Sequence, residues 1–175
     1  MFGLIASLVA PALHLGGARA AQREAEALAG SLEFARQRAI MTGRTHRLVI
    51  DLDRAEHWVE WVPPPEAGGS ARPAEGGDPR SHKIAMTPPE AAQNRFVPVP
   101  DGEFGREHVM DDATRVLEVR LPGSALERGV VVLGLTPDGA ADPALIRVGT
   151  PEGEPLFDVR VEALADTAAV TDAKR

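Results

Sequence analysis

A chain of 175 residues lies in the range of one domain with a real core; with aromatics at 4% and no tyrosine, that core must come from Leu, Val, Ile and Ala. Fifteen prolines and 17 glycines, gathered between Pro63 and Gly105 and at later turns, point to short strands with tight connections and away from a large α/β enzyme. A net charge of -7 repels phosphate backbones, which disfavours a nucleic-acid binder, and the absence of cysteine excludes disulfides, a thiolate nucleophile and Cys-based zinc sites.

The first element is helical. Met1 to Leu15 (MFGLIASLVAPALHL) is almost wholly apolar and uncharged, yet shorter than the roughly 20 residues that cross a bilayer. Gly3, Leu4, Leu8 and Pro11 belong to this membrane part of a stem, with a kink expected at Pro11. The chain continues as AQREAEALAGSLEFARQRAIMTG, in which Ala25, Leu28, Leu32, Ala35 and Ala39 recur at helical spacing and form one apolar stripe for packing on the rest of the chain. Arg23, Glu24, Glu33, Arg36 and Arg38 fall mostly off that stripe, and Gly43 is the expected stop. The stem is therefore 1–43. A second reading takes the small residues Gly16 to Ala21 as a signal-peptidase site, which makes residues 1–20 a signal peptide and the remainder a secreted soluble β-rich binding module.

The head, 44–165, is β-rich. Thr45 to Asp51 and His57 to Val62 alternate as a hairpin about the turn Asp51 to Arg54. Trp58 and Trp61 fall on opposite faces of an ideal strand, so at most one is expected in the core. Residues 63–105 are rich in Pro, Gly, Ala and charge and are expected to be a long surface loop. Four strands follow at 115–122, 129–136, 144–149 and 156–163, with Pro137-Asp138-Gly139 and Pro151-Glu152-Gly153 as turns. These connections are too short for crossover helices, so the sheet is antiparallel. The polar ending 166–175 is expected to be disordered.

No chemistry-bearing constellation stands out. His14, His46, His57, His82 and His108 are scattered, without the paired spacing of a metal helix. Asp51 and Asp53 read as turn residues and Asp111-Asp112 as a loop cap. None of Ser7, Ser31, Ser70, Ser81 and Ser124 sits in a nucleophile motif, and no phosphate-binding loop is present. Arg36, Arg38, Arg44 and Arg47 form a basic cluster read as a solvated helix end. No catalytic residue, cofactor or metal is therefore assigned.

The stretches GLIASLVAPAL (3–13) and EAEALAGSLEFARQRAIMTGRTHRLVIDLD (24–53), with LTPDGAADPALIRV late in the head, resemble type IV pilin-like proteins, and most of all the GspH/FimT group of minor pseudopilins of type II secretion. The resemblance implies an α+β fold, with a long N-terminal helical stem packed on an antiparallel β-sheet head. It implies a non-enzymatic filament subunit near the tip of a pseudopilus, anchored once in the bacterial inner membrane with its head in the periplasm. Its partners would be other pseudopilins and the membrane, with secreted cargo as a further contact and no nucleic acid. A type IV pilus minor pilin with a role in DNA uptake is the alternative within the same fold. Such proteins open with a basic leader and a Gly-Phe-Thr-Leu-x-Glu motif that is not found here, so the membrane end is expected to be truncated, by roughly ten residues of apolar helix and the leader.

Overall fold

The computed structural model describes residues 3–64, 95–100, 102–165 and 167–173, with side chains from Gly17 onward. One helix, α1 (Gly3–Thr42), leads the chain, and the helical assignment runs through Pro11. Gly43 ends it with φ 63°, a left-handed conformation that costs glycine little. The Arg44 N–H then folds back to the Ala39 carbonyl at 3.2 Å, the capping pattern in which a left-handed glycine recovers an orphan carbonyl.

Among the described residues no helix is long and apolar enough to cross a membrane, so the expected transmembrane span is not met by this stretch. The reason is local, because Arg19 and Arg23 follow the apolar start before it reaches the roughly 20 residues required.

Among the described residues ten strands, all paired antiparallel, form two sheets. The first contains β1 (His46–Asp51), β2 (Glu56–Trp61), β3 (Val97–Pro98), β4 (His108–Val109) and β7 (Val130–Leu135). Its order is β3-β2-β1-β7, with β4 also paired to β2. The second contains β5 (Arg115–Leu121), β6 (Ser124–Leu126), β8 (Ala144–Gly149), β9 (Pro155–Val161) and β10 (Ala169–Asp172), in the order β10-β9-β8-β5-β6. Leu48, Ile50, Val59, Val131 and Leu133 from the first sheet meet Val119, Ile146, Val148 and Val159 from the second in one aliphatic core. On the outer face of the second sheet Arg147 makes a two-pronged pair with Asp158, at 2.9 and 3.2 Å.

Helix α1 touches β1, β2 and β7 of one sheet and β8, β9 and β10 of the other. Cover from both sheets widens its buried arc. Ala25, Leu28, Leu32, Ala35 and Ala39 are buried in the core, together with Ala21. Glu24 and Arg36, placed off the stripe by spacing, are also buried, as is Ser31.

Several elements differ from what the patterns suggest. Residues 65–94 of the expected loop 63–105 lie outside the described residues, but its C-terminal part supplies β3, which pairs Val97 with Trp61. The ending expected to be disordered contains β10, which pairs Val170 with Val159 and completes an edge of the second sheet. The alternating Val and Thr of this segment suit a strand once a neighbouring edge is available. Neither tryptophan is fully buried: Trp61 packs against the core, while the Trp58 indole N–H donates to Glu60 at 2.9 Å.

Gly149 has the least room for a side chain among the described glycines. A Cβ at Gly149 would run into the Glu154 carbonyl oxygen and lie 2.6 Å from Leu117 Cδ1, because the 150–154 turn folds tightly back, with Thr150 N–H on Glu154 O at 2.9 Å. Gly149→Ala is therefore expected to cost about 1–3 kcal/mol, as for other overpacked sites, read as a lower denaturation midpoint at unchanged m-value. A midpoint equal to wild type would show that the turn relaxes freely.

Candidate functional site

The structure brings the stem's side chains onto the head at three places. The first is the apolar seam, where Ala21, Ala25, Ala35 and Ala39 are buried with Leu28 and Leu32. Small side chains let the helix axis approach the sheets closely, so the seam depends on residue size as well as on polarity.

The second is a polar cluster within that seam. Glu24 Oε2 meets His108 Nε2 of β4 at 2.8 Å, and Glu24 Oε1 accepts the Asp111 N–H at 3.2 Å. One ring further in, His57 stands 4.7 Å from His108 between centroids, and its Nε2 lies 3.2 Å from Ser31 Oγ of the stem. His57 is only 2% exposed. Burial pushes its pKa down to about 3, with the neighbouring His108 acting in the same direction, so the ring is neutral at ordinary pH. Among the described residues His57 Nδ1 has no hydrogen-bond partner, a cost the surrounding packing offsets.

By distance alone Ser31 and His57 look like a nucleophile and its base. Ser31, however, is 5% exposed, and neither of two surface clefts reaches the pair. One cleft, about 390 Å³, is lined by Arg120, Pro143, Arg160 and Glu162; the other, about 370 Å³, is lined by Asp53, Arg115, Glu127 and Arg128. The cluster is placed to tie stem to head, since its members come from α1, β2 and β4. Among the described residues no group of three His, Asp or Glu is arranged to hold a metal. Asp51 accepts the N–H groups of Asp53 and Arg54, both at 3.0 Å, and Asp111 Oδ1 accepts from Ala113 at 2.9 Å.

The third place is the C-terminal end of the stem. The basic residues there do not form a solvated cluster. Arg47 pairs with Glu60 at 2.6 Å and lies over Phe96, 4.0 Å from the ring centroid. Arg44 donates to the Pro63 carbonyl at 3.0 Å, and Arg38 lies over Phe34 at 5.7 Å. Arg36 turns inward to the second sheet and donates to the Glu162 carbonyl at 3.3 Å. The four diverge because positions 36, 38, 44 and 47 straddle a helix end and a strand, and so face different neighbours. The stem end and the 162–164 loop also expose apolar side chains, Ile40, Met41 and Leu164, beside the exposed Gln37 and Glu162.

Sequence spacing singled out the apolar seam residues but not Glu24, Ser31 or Arg36. A signal was available, since Glu24 lies four residues before Leu28, Ser31 three after it and Arg36 four after Leu32, positions that share a helix face with the stripe. Of Gly3, Leu4, Leu8 and Pro11, expected from the sequence to be the membrane part of the stem, the structure describes only the helical backbone.

Residues 24–165 match the family described as type II transport protein GspH. Two solved structures of the minor pseudopilin EpsH from the type II secretion system of Vibrio cholerae share the fold. One aligns with TM-score 0.62 at 11% identity, over 90% of this chain and 96% of that chain. The other aligns with TM-score 0.61 at 11% identity, over 87% and 96%. No curated protein matches the chain.

Proposed function

From the premise that this chain belongs to the GspH family of type II transport proteins, we propose that it is a minor pseudopilin placed near the tip of the type II secretion pseudopilus, where it supports protein export. The observation that carries this reading is the family match across residues 24–165, on a fold whose long N-terminal helix α1 is buried along one side against antiparallel sheets. The likeness to solved minor pseudopilins supports it. The mechanism is mechanical. The apolar start of α1, around Gly3, Leu4, Leu8 and Pro11, is the membrane end of the stem in the inner membrane and meets the stems of other pseudopilins. The head stands in the periplasm and is carried by the seam at Ala25, Leu28, Leu32, Ala35 and Ala39, which is occupied by the chain's own core and leaves the filament to use other surfaces. Secreted cargo is a further contact of the head, and the subunit acts without enzymatic chemistry or cofactor.

Deleting the gene in the host is expected to leave type II cargo proteins in the periplasm, with export restored by the wild-type chain. The reading fails if export continues undiminished, and loss of pilus assembly or DNA uptake instead would identify a pilus subunit.

A further inference from the structure

Arg36 is 8% exposed and is the most deeply placed described arginine, yet its guanidinium has no carboxylate partner among the described residues. Among the described residues it donates to the Glu162 carbonyl at 3.3 Å, and its Nε is buried with no partner there. Two partly buried arginines are neutralised from within, Arg47 by Glu60 at 2.6 Å and Arg147 by Asp158 at 2.9 Å, whereas Arg44 meets the Pro63 carbonyl and Arg38 the Phe34 ring; of these Arg36 is the most buried. The chain has 26 acidic residues, so acids are not scarce, but among the described residues none pairs with this guanidinium. A buried guanidinium carries five N–H donors and a full charge, and leaving it without an anion is costly.

The surroundings form a continuous surface. Ile40 lies one turn beyond Arg36 on the same helix face, and its Cδ1 sits against Gly139. The 139–141 turn is joined to the 162–164 loop by the Ala141 N–H on the Ala163 carbonyl at 2.9 Å. Leu164 on that loop is 83% exposed. An unpaired cation beside exposed aliphatic side chains is complementary to an acidic side chain flanked by apolar ones.

We propose that the C-terminal end of the stem, centred on Arg36 with Ile40 and Leu164 beside it, is a docking surface that takes an aspartate or glutamate side chain of an adjacent pseudopilin. The proposal rests on the filament-subunit reading above and adds the chemistry of the contact. A carboxylate accepting from the guanidinium supplies the missing counter-charge as the partner's apolar neighbours cover Ile40 and Leu164. Removing the charge costs the chain on its own little, because no ion pair among the described residues is broken.

The test is co-purification of the full chain with the other pseudopilins of its secretion system, co-expressed in one cell, alongside thermal melting of the chain alone. Arg36→Gln is expected to reduce co-purification about tenfold, in line with a lost charge-assisted hydrogen bond, without lowering the melting temperature. Leu164→Asp changes an exposed residue, leaves the fold intact and sets a like charge against the incoming acid, so it is expected to weaken association comparably even if Arg36→Gln proves unstable. The docking proposal is overturned if the wild-type chain associates and both variants associate equally well, or if Arg36→Gln lowers the melting temperature while Leu164→Asp leaves association unchanged. A wild-type chain that associates with no pseudopilin would instead overturn the filament reading itself, and the docking surface with it.

Discussion

Acidification from pH 7 towards pH 3 is expected to cost the folded chain on the order of 4 kcal/mol through His57 alone. In the folded state burial, reinforced by the nearby His108, lowers the His57 pKa from 6.5 to about 3. Above pH 6.5 neither state holds the proton and the residue makes no pH-dependent contribution. Between pH 6.5 and 3 the unfolded chain binds a proton that the folded chain refuses, so stability falls steadily as the pH drops and levels off below the folded pKa. The groups facing His57 are Ser31 on the stem and His108 on β4, with Glu24 on the far side of His108. Protonation therefore places charge within the stem–head seam. His46, lowered mainly by burial and then by Arg38, with its hydrogen bond to the Arg44 carbonyl opposing, acts in the same direction. Denaturant midpoints measured at pH 7, 5.5 and 4.5 for wild type and His57→Phe should diverge, with the wild type losing up to about 1.4 kcal/mol more per pH unit. Parallel curves would mean that the ring opens to solvent and titrates normally.

Truncating Leu28 is the second large effect. Leu28 has no exposed surface and lies near the middle of the buried stem face, so Leu28→Ala removes buried methyl groups and leaves a cavity between helix and sheets. The expected loss is about 2–5 kcal/mol, a large part of the 5–15 kcal/mol that holds a typical domain together. The complementary change, Ala35→Leu, forces extra volume into a seam where Ala35 is fully buried and is expected to cost about 1–3 kcal/mol. Both are read as denaturant midpoints at pH 7; on the proposed pseudopilin function both should also weaken export, since that reading needs the head held to its stem. A Leu28→Ala loss below about 1 kcal/mol would show that the head stands without the stem and that the seam is not what unites them.

The sequence by itself determined the local elements and their faces. The 3.6-residue recurrence from Ala25 to Ala39 marks the helix face that the structure buries, Gly43 marks the helix end, and the alternation in HRLVID and ALIRVG marks strands. The stem and late-head residues carried the family resemblance, and the α+β fold of helix on antiparallel sheets follows from it. Only the tertiary structure decided which strand lies beside which. Strand β7 leaves its sequence neighbours to pair with β1, Leu133 opposite Leu48, while β5 pairs with β8 in the other sheet; alternation specifies a strand's faces but not its partner. The short strands β3, β4 and β10 needed an existing edge to pair with, since two to four residues have no stability of their own as strands. Glu24, Ser31, His57 and His108 lie up to 84 residues apart, and no local pattern links them. Cover from two sheets made the buried arc of α1 wider than its apolar stripe, and that extra width enclosed Glu24, Ser31 and Arg36: hydrophobic spacing shows where a helix must be covered, whereas how far the cover extends depends on what packs around it.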